Sequence, residues 1–108
     1  MSVYNIVSVA GSDPSGGAGI QADLKSFSAH GTFGMSVVTA LTAQSTRGVT
    51  GVHGVPTEFV THQLDTLLTD ATVHAVKVGM LATAEVTEAV AEAIDRYELS
   101  NVVVDPVM

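Results

Sequence analysis

The chain is 108 residues long, 46% hydrophobic and 14% charged, with no cysteine and a formal net charge of −7. That length allows one small core, and the lack of thiols excludes disulfides, thiolate zinc sites and iron–sulfur clusters within the chain. Four scattered cations, Lys25, Arg47, Lys77 and Arg96, argue against nucleic acid as a partner; no apolar run approaches the roughly 20 residues that span a bilayer, and no basic signal region opens the chain, so a cytoplasmic protein is expected.

Residues 3–10 read as a short apolar strand that stops at the breaker-rich run Gly11-Ser12-Asp13-Pro14-Ser15-Gly16-Gly17. Residues 18–30 turn helical, with Ile20, Leu24 and Phe27 on one face and Gly31 as the stop. A second strand is predicted over 34–43. The segment 46–56, where Gly48, Gly51 and Gly54 alternate with valines, reads as a hairpin or flap-like connection. Thr57 is placed to cap a second helix with the stripe Phe59, Val60, Leu64, Leu67 and Leu68. Residues 73–80 form a third strand. Thr83 caps a third helix that turns Val86, Val90, Ala93, Ile94 and Tyr97 inward and pairs Glu92 with Arg96. Val102-Val103-Val104 makes a fourth strand, running straight into Asp105-Pro106-Val107-Met108.

The order β-α-β-hairpin-α-β-α-β defines an α/β fold with a mostly parallel sheet and right-handed crossovers. Its valine-rich strands fit burial on both faces. Residues 1–56 are charge-balanced, so the whole −7 lies in 57–108, mostly on what reads as the solvated faces of two helices. The fourth strand has no helix after it to cover its apolar faces. The expectation is therefore that the 108 residues are a portion of a larger catalytic unit; the other reading is a complete small domain whose last strand pairs with another chain.

Ligands of open α/β sheets bind beyond the carboxyl ends of the strands. There the sequence places Gly11, Asp13, Gly16, Gly17 and Gly19 after the first strand, then Gln44 and Thr46, then Gly79 and Met80, then Asp105. Gly11-x4-Gly16 has P-loop spacing, but Gly17-Ala18 follows where Lys and Ser or Thr are needed, which excludes a P-loop. Gly17-x-Gly19-x-x-Ala22 fits the permissive dinucleotide fingerprint, yet no acid lies between Asp23 and Glu58 to hold a ribose. What remains is a loop that lets backbone approach a small ligand, above a helix N-terminus that favours a polar or anionic group. Tight strand-to-helix packing accounts for the same glycines. Asp23 reads equally as a solvent-facing acid. Gln44, able to donate and accept at once, suits a nitrogen heterocycle or serves as a strand-end amide bonded to local backbone. Met80 is either a soft ligand wall or core. The four histidines show no metal-ligand spacing, and no serine sits in a G-x-S-x-G elbow.

The run from Ala10 to Lys25, AGSDPSGGAGIQADLK, closely resembles the opening signature of the hydroxymethylpyrimidine/phosphomethylpyrimidine kinases of thiamine biosynthesis. The likeness continues through TALTAQSTRGV at 39–49, KVGML at 77–81 and VVDPVM at 103–108, in order and along the whole chain. It implies a ribokinase-like, three-layer α-β-α fold and an ATP- and Mg2+-dependent kinase acting on 4-amino-5-hydroxymethyl-2-methylpyrimidine and its monophosphate. Carried over by position, Gly11 and Gln44 bond the pyrimidine, Asp23 sits at its polar edge, Met80 and Val107 supply apolar walls, and Asp105 faces the magnesium–triphosphate side. Thr42 departs from the family's frequent valine and makes that wall more polar. The family's anion hole, catalytic base and most nucleotide contacts belong to its C-terminal half, so the resemblance implies that residues 1–108 are the N-terminal, substrate-binding portion of such a kinase domain, with no catalytic residue and no metal site assigned within them. A pyridoxine- or pyridoxal-type kinase is the alternative enzyme. A non-catalytic pyrimidine-binding fragment that needs a separate partner chain is the alternative of another class, and the expected protein partner is a second copy in a homodimer or a missing C-terminal half.

Overall fold

In a computed structural model, which describes residues 3–81 and 83–105, the order of elements is β1 (Asn5–Ala10), α1 (Gly19–Ala29), β2 (Phe33–Val38), β3 (Ala40–Ser45), β4 (Gly48–Gly54), α2 (Thr57–Leu68), β5 (Ala75–Val78), α3 (Ala84–Arg96) and β6 (Val102–Val104). Four strands form one sheet in the order β2-β1-β5-β6, with every neighbouring pair parallel. From β1 the chain moves out to β2, then returns across β1 to β5 and continues to β6. The loops after β1 and β5 therefore leave in opposite directions, which opens a crevice at the carboxyl ends of these adjacent strands.

Period-two alternation decides what each face of the sheet carries. Val7 and Val9 of β1, in register with the β2 pair Met35 and Val37 and the β5 pair Val76 and Val78, face α2 and α3. They close a core with Val60 and Leu64 of α2 and Val86, Val90 and Ala93 of α3. Ser8, Gly34 and Lys77 alternate with them and lie under α1. Glycine is required at 34, because a Cβ there would meet Leu24 Cδ2 at 2.8 Å and Phe27 Cδ2 at 3.2 Å. Helices thus cover both faces, giving three layers.

The helix signals hold in part. Thr83 caps α3, its hydroxyl accepting from Val86 N at 3.1 Å, and Gly31 ends α1 with φ +73°. Arg96 pairs with Glu92 at 3.0 Å and reaches Asp65 at 2.9 Å, while the Tyr97 hydroxyl donates to Asp65 at 2.8 Å, tying α3 to α2. The Tyr97 hydrogen bond, with Arg96 beside it, holds the Asp65 carboxyl below the usual carboxylate value.

Three expectations are corrected. The run 34–43 is two strands. Thr39, buried and between them, still donates its N–H to Ala10 O at 2.9 Å, but its carbonyl accepts from Val55 N at 3.0 Å and the chain turns out of the sheet. The hairpin therefore begins at Ala40, pairing β3 with β4 antiparallel; no glycine or proline marks the break, so the apolar pattern runs through it. Thr57 does not cap α2. Pro56 holds the cap position with φ −54°, and its carbonyl receives Phe59 N at 2.9 Å and Val60 N at 3.1 Å. Phe59 is exposed rather than part of the inward stripe, since Val60 takes the adjacent inward position.

Candidate ligand crevice

The first wall is the loop between β1 and α1, and its organiser is Asp13. This residue is 2% exposed. Its Oδ1 accepts from Ser15 N at 2.9 Å and Ser15 Oγ at 2.7 Å, its Oδ2 from Gly17 N at 3.0 Å, and its own N–H donates to Gln21 Oε1 at 2.7 Å. The Ser15 hydroxyl, followed by backbone N–H groups of Ser15, Ala18 and Gly17, holds the carboxyl below its ordinary 3.8, with burial opposing. The anion favoured at the start of α1 is thus the chain's own carboxylate. The residue belongs to the loop rather than to any ligand, and the signal was the Asp-Pro-Ser turn, where Asp bonds the backbone two residues on.

A carboxyl depressed in the folded state contributes stability that is full above its unfolded value and lost as pH falls through the folded one. Between pH 5 and pH 2 the melting temperature of the chain should therefore drop further than that of Asp13→Asn, which has no such charge to lose. Parallel curves for the two proteins in thermal melts would contradict this role.

The second wall is the hairpin, and Ser12 fastens it to the loop. Ser12 N donates to Ala40 O at 2.9 Å and Thr42 N donates to Ser12 Oγ at 3.1 Å. The Thr42 hydroxyl lies 2.8 Å from Ser12 O and 3.2 Å from Gln44 Oε1. One hydroxyl carries one proton, and the shorter contact to Ser12 takes it. The chain of bonds is completed best with the Gln44 amide turned so that its NH2 donates to Thr42, the two ends of an amide being interchangeable in shape. The Gln44 carbonyl is then left to accept from a ligand. Threonine at 42 does more than make the wall polar: it orients the glutamine two residues on.

The floor is a row of charges beneath α1. Asp23 is 7% exposed and takes an inward position of α1, three residues after Ile20 and four before Phe27. Its Oδ2 accepts from the fully buried Ser8 hydroxyl at 2.7 Å, and its Oδ1 receives the Lys77 ammonium. Lys77 Nζ also lies 3.5 Å from Asp105 Oδ2, at the exposed end of β6. The Asp23 hydrogen bond first, and the charges of Asp23 and Asp105 after it, raise the Lys77 ammonium above its ordinary 10.5 against the cost of burial. Asp23 is therefore no solvent-facing acid, and a spacing from Ile20 and Phe27 that matches an inward helical stripe was its signal. Lys77 is not among the site residues that the sequence places at the strand ends; the signal for it is a lysine between Val76 and Val78 in a strand covered on both faces.

Gly11, Asp23, Gln44, Met80 and Asp105 line one cavity of about 460 Å³, together with Lys77, Gly79 and the hairpin residues Val49 and Val52. Met80 is exposed and is wall, not core. Val107 lies outside the described residues. Among the described residues no group of three or more His, Asp or Glu side chains is placed to hold a metal, and no helix is long and apolar enough to cross a membrane.

A parallel three-layer sheet with its crevice at the β1/β5 switch point, partly walled by a projecting hairpin, is the arrangement of the ribokinase-like small-molecule kinases. The chain belongs, within that class, to the phosphomethylpyrimidine kinase family, whose profile matches residues 13–108. It is 54% identical over its whole length to the hydroxymethylpyrimidine/phosphomethylpyrimidine kinase of Escherichia coli, of which it covers 41%. The crystal structure of phosphomethylpyrimidine kinase from Clostridium difficile superposes with a TM-score of 0.93 at 47% identity, over 97% of this chain and 46% of that one. Pyridoxal kinase from Staphylococcus aureus, solved with AMP-PCP and pyridoxal, gives a TM-score of 0.88 at 36% identity, over 100% of this chain and 40% of that one. The chain thus spans less than half the length of each.

Proposed function

We propose that the crevice binds 4-amino-5-hydroxymethyl-2-methylpyrimidine and its monophosphate, and that residues 1–108 form the pyrimidine-binding part of an ATP-dependent kinase of thiamine biosynthesis. The observation that carries this reading is the convergence of Gly11, Asp23, Gln44 and Met80 on one cavity of about 460 Å³. A single substituted ring fits that space. An amino-pyrimidine offers N–H donors to the Gln44 carbonyl and to the Asp23 carboxylate, while Met80 and Val52 cover its faces.

Asp105 is the carboxylate at the open end, with 58% of its side chain exposed. Magnesium is commonly held by one or two carboxylates together with substrate phosphates, and Asp105 fits that donor chemistry as one such ligand. When bound, the ion neutralises charge on the transferring phosphate. The N–H groups of Ser15 and Gly17, the nearest candidates for a phosphate cradle, are occupied by Asp13. No catalytic base is assigned among the described residues, and the purified chain with ATP, Mg2+ and the pyrimidine should turn over at background.

Pyridoxal is the competing ligand, given the shared fold. Calorimetry on the chain with each ligand decides between them: the pyrimidine should bind more tightly. Gln44→Ala should weaken pyrimidine binding about tenfold, the worth of one good hydrogen bond. Unchanged affinity in that variant would remove Gln44 from the site, and tighter binding of pyridoxal would overturn the pyrimidine reading.

A further inference from the structure

Among the described residues, three carboxylates and one ammonium line the crevice: Asp13, Asp23, Asp105 and Lys77. Asp13 is held by its own loop, so Lys77 is the counter-ion left for the other two. Those two stand on elements with no bond between them, α1 and the end of β6, and they are 82 positions apart in sequence. Lys77 rises from β5 under α1, its side chain 30% exposed, and contacts both. We propose that Lys77 is a positioning residue whose ammonium sets the places of Asp23 and Asp105 together, so that the pyrimidine end and the metal–nucleotide end of the crevice are organised by one cation.

Asp23 is nine-tenths buried on its side chain, and each of its oxygens holds one protein donor, the Ser8 hydroxyl on one and the lysine on the other. A buried carboxylate is costly unless it is paired and hydrogen-bonded, and those partners fix its orientation. Ser8 fixes one oxygen from the centre of β1, and Lys77 fixes the other. Asp105 is exposed, so its pairing alone is weak; its significance is that the partner is already held by Asp23. The proposal rests on the pyrimidine reading for its consequence in binding, but not for the bridge itself.

Two measurements on the full chain separate these. With carboxyl-carbon labelling of aspartate, the Asp23 and Asp105 Cγ resonances should both move in Lys77→Met and both return towards their parent positions in Lys77→Arg. An Asp105 signal indifferent to the lysine overturns the bridge, whatever any ligand does. In calorimetry, Lys77→Met should bind the pyrimidine at least about tenfold more weakly while still melting cooperatively, and Lys77→Arg should recover to within about threefold. If Lys77→Met does not fold, Lys77→Gln keeps a donor without the charge and should show the same loss. Parent-like affinity in the neutral variants overturns the positioning role. A parent chain that binds no pyrimidine counts against the ligand reading alone, since the carbon resonances still decide what Lys77 holds.

Discussion

Gly19→Ala should be among the most damaging single changes in the chain, with a loss of about 3 kcal/mol of stability and of ligand binding together. Gly19 opens α1 at φ +59°. A Cβ there would lie 2.4 Å from Gly11 O, 3.2 Å from Ser12 C and 3.3 Å from Gly11 C. All three are backbone atoms that no rotamer change can move aside. The Gly11 carbonyl is also committed, receiving Ile20 N at 2.9 Å as the first bond that seats the helix on the strand. The methyl therefore pushes Gly11 and Ser12, and Ser12 carries the hairpin. The chain has a single small core, so about 3 kcal/mol corresponds to a fall in Tm of roughly 12–24 °C. Thermal melts measure it, and a fall of only a degree or two would show that the junction has room the structure does not reveal.

Asp23→Ala should act at the floor, with a cost of about 2 kcal/mol and a pyrimidine affinity reduced at least tenfold. Removing the carboxylate leaves the Ser8 hydroxyl, fully buried in the centre of the sheet, without its acceptor. It also releases Lys77. A fully buried ion pair broken on one side costs about 3–5 kcal/mol, and the lower figure applies because the lysine side chain is 30% exposed and can turn to Asp105 and water. The sharper discriminator is Asp23→Asn, which keeps an acceptor for Ser8 but no charge for Lys77. It should restore most of the stability and little of the binding. Equal recovery of both would mean that Asp23 serves only to fill the space under α1.

The strand and helix order was legible in the sequence because each signal is local. The 3.6-residue spacing of Val86, Val90 and Ala93, the threonine at 83 and the glycine at 31 each act within one element. What local patterns could not show was where one strand leaves a sheet to join another. Thr39 changes partners through backbone bonds to Ala10 and Val55, and its side chain carries no trace of it. The site divides in the same way. Gly11, Gln44, Met80 and Asp105 follow from their places after strands and from the family signature. Ser8, Thr42 and Lys77 matter through partners 15 to 54 residues away, which a pattern along the chain does not pair. Asp13 lies between these cases: it was visible as a turn residue, but only the geometry shows that its carboxylate occupies the N–H groups of Ser15 and Gly17.

The strand ends of this chain are proposed to form a pyrimidine site. The most direct test is amide and side-chain chemical-shift mapping of the 15N-labelled chain during titration with 4-amino-5-hydroxymethyl-2-methylpyrimidine. Saturable shifts are expected at Gly11, Gln44 and its side-chain NH2, Gly79 and Met80, with the outer faces of α2 and α3 unmoved. Shifts centred elsewhere, or none at millimolar pyrimidine while the folded spectrum persists, would contradict it.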